Sequence, residues 1–314
     1  MRFSIARQLA AVGLATALAA TAAPATARPG TPAPRARRSN RRVLATSVTY
    51  AVLVVLAVLY IYPFLIQVAT SFKTDAEAAQ NAVSLIPQTW STAAYERLFL
   101  RSDFPLWFRN SVVVTVVVTL GRVFIDSLAG YALARLRFRG RGLVFAGLVA
   151  VMAVPNVVLL IPKFLVIKQV GIYNSFAGLI IPLLADAAGI FIMKNFFESV
   201  PASVEEAARL DGAGTFRVFW SVVLPMARPA VVTLVILSFQ GSWNELSHFI
   251  VASQDPELVT LTKGVAQLAS GQLSQGTQYP LKLAAAAIMT IPVAVLFFVF
   301  QKRIMNQSAG AVKE

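Results

Sequence analysis

Cysteine is absent from the 314-residue chain, and histidine occurs once, as His248. The first absence excludes disulfides, thiol nucleophiles and thiolate metal sites. The second excludes a histidine-rich metal cluster, so His248 is not expected to be a metal ligand. Charge is scarce: 13% of residues are Asp, Glu, Lys or Arg, against roughly a quarter in an ordinary soluble domain. Acid is the scarcer sign, with 14 Asp and Glu against 28 Lys and Arg, and no acidic residue precedes Asp75. There is no G-x-x-x-x-G-K-[ST] stretch, so no loop of the usual kind cradles nucleotide phosphates.

Apolar residues fill the space that charge leaves. They make up 57% of the chain, and the mean hydropathy is +0.68. They fall in long runs separated by short polar stretches, and about 20 apolar residues are what a helix needs to cross a hydrocarbon core of roughly 30 Å. An all-α integral membrane protein is therefore expected, with six spans near Val43–Thr70, Asn110–Ala134, Leu143–Lys163, Phe176–Phe196, Ala230–Val251 and Leu281–Phe300. The net charge of +14 is then read as basic loops kept on one side of a membrane, not as a nucleic-acid surface. Arg135, Arg137, Arg139 and Arg141 follow span two. Arg209, Arg217 and Arg228 lie between spans four and five, and Lys302, Arg303 and Lys313 follow span six. Arg37, Arg38, Arg41 and Arg42 precede span one. All sit on one side, so both termini are expected in the cytoplasm.

Pro63, Pro155, Pro162, Pro182 and Pro292 fall in or near spans. Such breaks survive where neighbouring helices or a water-lined cavity satisfy the freed backbone groups. No internal repeat stands out. Residues 1–42 differ from the rest and are expected to be a basic, Pro/Ala-rich extension, with residues 43–314 a six-helix transmembrane domain that carries a cytoplasmic loop at 201–228. Met1–Ala27 alone has the pattern of a secretory signal peptide. A disordered extension, a start site assigned too early and a weak extra membrane helix are the alternatives.

The segment 201–228 reads as a folded cytoplasmic loop. Ser203 and Glu206 have capping-box spacing, which predicts a helix start, and Glu205 and Arg209 are spaced i, i+4. Gly212 and Gly214 end that helix, where positive φ is cheap. Thr215 caps a second short helix and Pro225 stops it. Ala207 and Ala208 offer a small surface for a close partner. An ordinary amphipathic connector has the same physics.

The spacing is more specific. Glu206-Ala207-Ala208, three residues, Gly212, nine residues, then Val222-x-Leu224-Pro225 resembles the EAA loop of ABC importer permeases. Val222 stands where isoleucine is common. The resemblance covers most of residues 50–314 and points to the MalG-type carbohydrate branch with the MetI-like fold. Its other carriers are Gly130-Tyr-Ala-Leu-Ala-Arg135 leading into Phe138-Arg-Gly140, Trp243-Asn244-Glu245 and the tail Gly310-Ala-Val-Lys313. Leu246 departs from the second aromatic that often follows, and Glu314 from the usual final glycine. The resemblance implies that Glu206, Ala207, Ala208, Asp211, Gly212, Leu224 and Pro225 couple the chain to a separate ATPase. It also implies two ATPase subunits, a second non-identical permease, an extracytoplasmic solute-binding protein and a bacterial cell membrane. ATP and magnesium would be used by the ATPase, with no cofactor or metal bound by this chain and no bond chemistry performed by it.

Polar residues within the spans are the remaining candidates. Arg122 and Asp126 are one turn apart in span two and are expected to pair on one face. Asp186 and Lys194 in span four are read likewise, with Lys194 reaching toward the cytoplasmic interface. In span five, Gln240, Trp243, Asn244, Ser247 and His248 recur at helical spacing. They offer the hydrogen-bonding groups and aromatic face that a sugar needs, although helix–helix hydrogen bonding would place the same residues there. The expected function is a permease subunit of an ATP-driven sugar importer. The alternatives are an ABC permease for a non-sugar solute, or an ion-coupled secondary transporter, which has no need of an EAA loop.

Overall fold

The computed structural model describes residues 40–81, 83–270 and 278–310, with side chains described from Thr46 to Gln301 within those bounds. The extension up to residue 39 and the tail residues 311–314 lie outside the described residues. Backbone contacts divide the chain into units Met1–Ala57 and Val58–Glu314. In the first unit, the described residues begin helix α1 (Asn40–Ser71), and Thr46–Ala57 are exposed throughout. Among the described residues there is no strand.

The second unit completes α1 and continues through α2 (Asp75–Gln80) and α3 (Ala93–Leu100) to the 32-residue α4 (Phe104–Arg135). Then come α5 (Arg141–Met152), α6 (Leu160–Val170), α7 (Phe176–Ile180) and α8 (Ala187–Ser199). The expected cytoplasmic loop holds α9 (Ala202–Leu210), α10 (Thr215–Val218) and α11 (Leu224–Met226). It leads to α12 (Arg228–Trp243), α13 (Ser247–Ala252), α14 (Leu261–Ala269) and α15 (Tyr279–Gly310). Among the described residues, four segments are long and apolar enough to cross a membrane: Thr46–Ser71, Phe104–Arg135, Phe176–Ser199 and Tyr279–Gln301. Two bent helix pairs, Arg141–Met152 with Asn156–Val170 and Thr215–Met226 with Arg228–Trp243, bring the count to as many as six. The second pair reaches back into the loop and differs from the expected span five at Ala230–Val251.

Three of the expected spans are not single helices. Span three runs from α5 through a 104° bend into Asn156–Val170. Pro155 has no amide hydrogen and pushes Val154 out of helical backbone. The end of α5 is closed instead by short bonds from the Ala153 and Val154 amides to Ala150 and Val151. Span four loses its helical ladder between Leu183 and Ala187. Span five stops at Trp243: the Asn244 amide and side chain both donate to the Gln240 carbonyl, at 3.1 and 3.0 Å, and the Glu245 amide turns to the Ser242 carbonyl. Side-chain bonds of this kind compete with the helical ladder. The Glu245 carboxylate accepts the His248 amide at 2.9 Å and starts α13 afresh.

Three buried clusters hold the second unit together. At one end, Trp107 and Trp243 pack with Leu98, Leu261 and Leu281. There α14 lies so close to α4 that a Cβ on Gly264 would sit 2.2 Å from the Trp107 ring. At the other end, Tyr131, Phe197, Val218 and Phe219 gather α4, α8 and α10. A third cluster joins Val114 and Val118 to Leu179, Leu183 and Phe249.

Candidate functional site

The loop 201–228 is built around one left-handed residue. Gly212 has φ +81°, as the sequence spacing predicts. Its amide bonds the Arg209 carbonyl and the Ala213 amide bonds the Ala208 carbonyl, both at 3.0 Å. This pairing is a Schellman closure, which satisfies the last carbonyls of α9. Other details differ from the sequence reading. Helix α9 begins at Ala202 with Pro201 as its cap, so Ser203 is already inside the helix and forms no capping box. Gly214, not Thr215, occupies the cap position of α10. Pro225 does not stop the second helix: a π turn at Phe219–Val223 carries it through to Met226, and the chain then bends by 82° into α12. The bend falls at Ala227, where Pro229 in the first turn of α12 has no amide hydrogen to carry the ladder across.

The two faces of α9 differ in chemistry. Glu206 and Ala207 are exposed, and Leu210 is 89% exposed. Phe216 and Trp220 are exposed on the next helical stretch, with ring planes within 10° of parallel. Ala208 instead packs inward on the Tyr131–Phe219 cluster, as do Ala213 and Leu224. The small surface available to a partner is therefore Ala207 without Ala208.

Glu205 is buried, and the sequence reading paired it only with Arg209. Its carboxylate lies 3.0 Å from the Arg135 guanidinium and 3.6 Å from Arg209. Tyr131 donates its hydroxyl to it at 3.3 Å. Arg135 also donates to the carbonyls of Phe197 and Val200 at the end of α8, where a helix leaves carbonyls without partners. One guanidinium thus joins the ends of α4 and α8 to α9. No spacing rule could have found this pair, since its members come from distant segments.

Arg122 and Asp126 do not form an ion pair with each other. Arg122 donates to the Leu183 carbonyl at 2.5 Å, and Asp126 accepts the Asp186 amide at 3.0 Å. They staple the two sides of the break in span four, where interruption of the ladder frees a carbonyl and an amide. Asp186 is likewise no partner for Lys194: it caps α8 by accepting the Gly189 amide, and Lys194 bonds Glu198 at 2.8 Å.

The span-five stripe does not stay on one face: its helix ends at Trp243, and even within that helix Gln240 and Trp243 differ in burial. Gln240, Asn244 and Ser247 are exposed, whereas Trp243 and His248 are buried. Trp243 stacks on Phe239 and donates its ring N–H to the Met289 carbonyl at 3.0 Å. The His248 Nε2 lies 3.2 Å from the carbonyls of Gly178 and Leu179, tying α13 to α7. Trp243 therefore has no ring face to offer a sugar. Among the described residues, no three His, Asp or Glu side chains gather as a metal site.

Apolar spans with satisfied breaks, and a folded two-helix loop pinned to their ends, define a helical membrane-transport subunit. Residues 126–306 match the family described as binding-protein-dependent transport system inner membrane component, and the chain belongs to that family. It is similar to the diacetylchitobiose uptake system permease protein NgcG of Streptomyces coelicolor, with 34% identity over 284 residues, 90% of this chain and 91% of that one. It is 32% identical over 256 residues to the sulfoquinovosyl glycerol transport system permease protein SmoH of Agrobacterium fabrum, covering 81% of this chain and 89% of that one. A crystal structure of a bacterial ABC transporter involved in the import of the acidic polysaccharide alginate superposes with a TM-score of 0.73 at 27% identity. That match covers 86% of this chain and 99% of the other. The chain is thus an ABC importer permease of MetI-like fold, a membrane component and not itself an enzyme. Its family implies a partner ATPase and a solute-binding protein.

Proposed function

We propose that this chain is one of two non-identical permease subunits in a bacterial plasma-membrane importer for a mono- or oligosaccharide. Two ATPase subunits dock on the 201–228 loop, and both termini face the cytoplasm. The ATPases alone bind ATP and magnesium, and this chain holds no nucleotide, cofactor or metal. The observation that carries the reading is the two-sided loop. Gly212 fixes its turn, Arg135 and Glu205 anchor it from within, and Glu206, Ala207, Leu210, Phe216 and Trp220 stand outside. A push on the outer face passes through a buried ion pair into α4 and α8, which converts closure of an ATPase dimer into movement of spans.

The named relatives, whose uptake systems take carbohydrates, support sugar as the cargo. So does the exposed row Gln240, Asn244 and Ser247, which presents amide and hydroxyl groups suited to sugar hydroxyls. Reconstitution of the transporter with its binding protein in liposomes tests the reading. Uptake of radiolabelled saccharide is expected with internal ATP and with every ion gradient collapsed. Uptake driven by an ion gradient without ATP would overturn it. Cysteines introduced singly at Ser102 and Ala213 test the orientation. An impermeant reagent applied to intact cells is expected to label the first and spare the second.

A further inference from the structure

The segment between α2 and α3 carries no charged residue from Ala78 to Tyr95, yet two charged side chains hold its backbone. Lys73, only 1% exposed, donates to the carbonyls of Asn81 at 2.8 Å and Ser84 at 2.7 Å. Glu77 accepts the amides of Gln88 at 2.8 Å and Thr89 at 3.3 Å. The Ser91 amide donates to the Phe72 carbonyl at 2.8 Å. Burial of an ammonium group is costly unless hydrogen bonds compensate it. Here those bonds fix a loop whose apolar side chains face out: Leu85 is exposed, Ile86 is 76% exposed and Trp90 is 70% exposed.

Position identifies the solvent that this loop meets. Ser71 ends the first candidate span, and Phe72 is the next residue. The Trp90 ring centroid is 5.8 Å from that of Phe72. Headgroups extend about 5–8 Å beyond the hydrocarbon on each side, so a ring this close to the span end is within reach of that layer, where tryptophan is favoured. The adjoining end of α1 is also apolar and exposed, at Leu65 and Val68. Beside Trp90, the exposed polar side chains of Gln88 and Thr89 are uncharged.

We propose that residues 84–91 are an interfacial anchor, seated among lipid headgroups and upper acyl chains, that sets the depth of α1 in the membrane. The natural absence of cysteine makes Ile86→Cys a unique attachment point, and the exposure of Ile86 leaves the fold undisturbed. A nitroxide placed there, in the assembled transporter in vesicles of phosphatidylethanolamine and phosphatidylglycerol, is read by collision with oxygen and with a water-soluble nickel chelate. A label at Leu59→Cys, in the middle of the first span, gives the hydrocarbon reference. The label at position 86 is expected to collide with oxygen more than free label in water and less than the label at 59, with nickel access between those limits. Nickel access equal to that of free label would place the loop in water and overturn the proposal. Protection from both reagents would overturn it too, whether constant or appearing only when solute-binding protein is added, because protein and not lipid would then cover the loop.

Discussion

The Arg135 guanidinium stands 3.0 Å from the carboxylate of the buried Glu205, and the Arg135 side chain is itself only 14% exposed. The pair ties the end of the longest buried span to the first helix of the loop on which an ATPase is proposed to dock. Breaking a buried ion pair from one side leaves a charge without its partner and costs about 3–5 kcal/mol. Glu205→Gln and Arg135→Gln are each expected to lower the thermal midpoint of the permease and the stimulation of ATPase activity by loaded binding protein. In a double-mutant cycle, Glu205→Gln should cost much less once Arg135 is replaced. Additive effects would mean that the two side chains act separately.

The two faces of α9 separate docking from folding. Ala207→Trp adds bulk on the exposed side and is expected to abolish pull-down of the ATPase while leaving permease stability unchanged. Ala208→Trp overfills the cluster around Phe219 and is expected to destabilise the permease by about 1–3 kcal/mol. Gly212→Val puts a β-branched residue at φ +81°, a backbone region such residues avoid. It is expected to uncouple ATP hydrolysis from uptake with the spans still inserted. Normal coupling in both Ala207→Trp and Gly212→Val would reduce the loop to a connector.

Arg122 and Asp126 are expected to matter as backbone partners of the span-four break. Asp126→Leu leaves the Asp186 amide unbonded, and Arg122→Leu does the same to the Leu183 carbonyl. Each should cost about 1–3 kcal/mol. Asp126→Asn keeps an acceptor oxygen and should be milder in a thermal melt. A Cβ on Gly121 would lie 4.0 Å from that of Leu184, within the range a disulfide spans. A Gly121→Cys/Leu184→Cys chain is therefore expected to cross-link on oxidation and to transport as well as its reduced form. Uptake blocked by oxidation and restored by reduction would show that the break moves during transport.

Along α12 the exposed and buried polar residues should behave differently. Gln240→Ala and Asn244→Ala are expected to raise the KM for uptake with assembly intact. Trp243→Ala opens a core cavity and is expected to cost about 3–5 kcal/mol, seen as loss of folded complex. A KM unchanged from that of Val235→Ala would remove Gln240 and Asn244 from the solute path.

Hydropathy and charge alone determined that the chain spans a membrane, where its apolar segments fall and which loops are basic, because lipid requires about 20 apolar residues per helix whatever the fold. The Gly212 turn was equally legible, since a left-handed residue selects glycine locally. Tertiary structure decided the partners of the charges. Helical periodicity put Arg122 and Asp126 on one face of α4, where they are, but could not show that another span's backbone claims them. It put Gln240, Trp243, Asn244, Ser247 and His248 on one face only by assuming an unbroken helix. The ladder stops at Leu183 and at Trp243, and the backbone groups freed in span four recruit polar side chains from α4. Glu205 finds Arg135 for a related reason: the end of α8 needs donors for its carbonyls, and only packing brings α4, α8 and α9 to one point. Local spacing carries no record of such distant contacts.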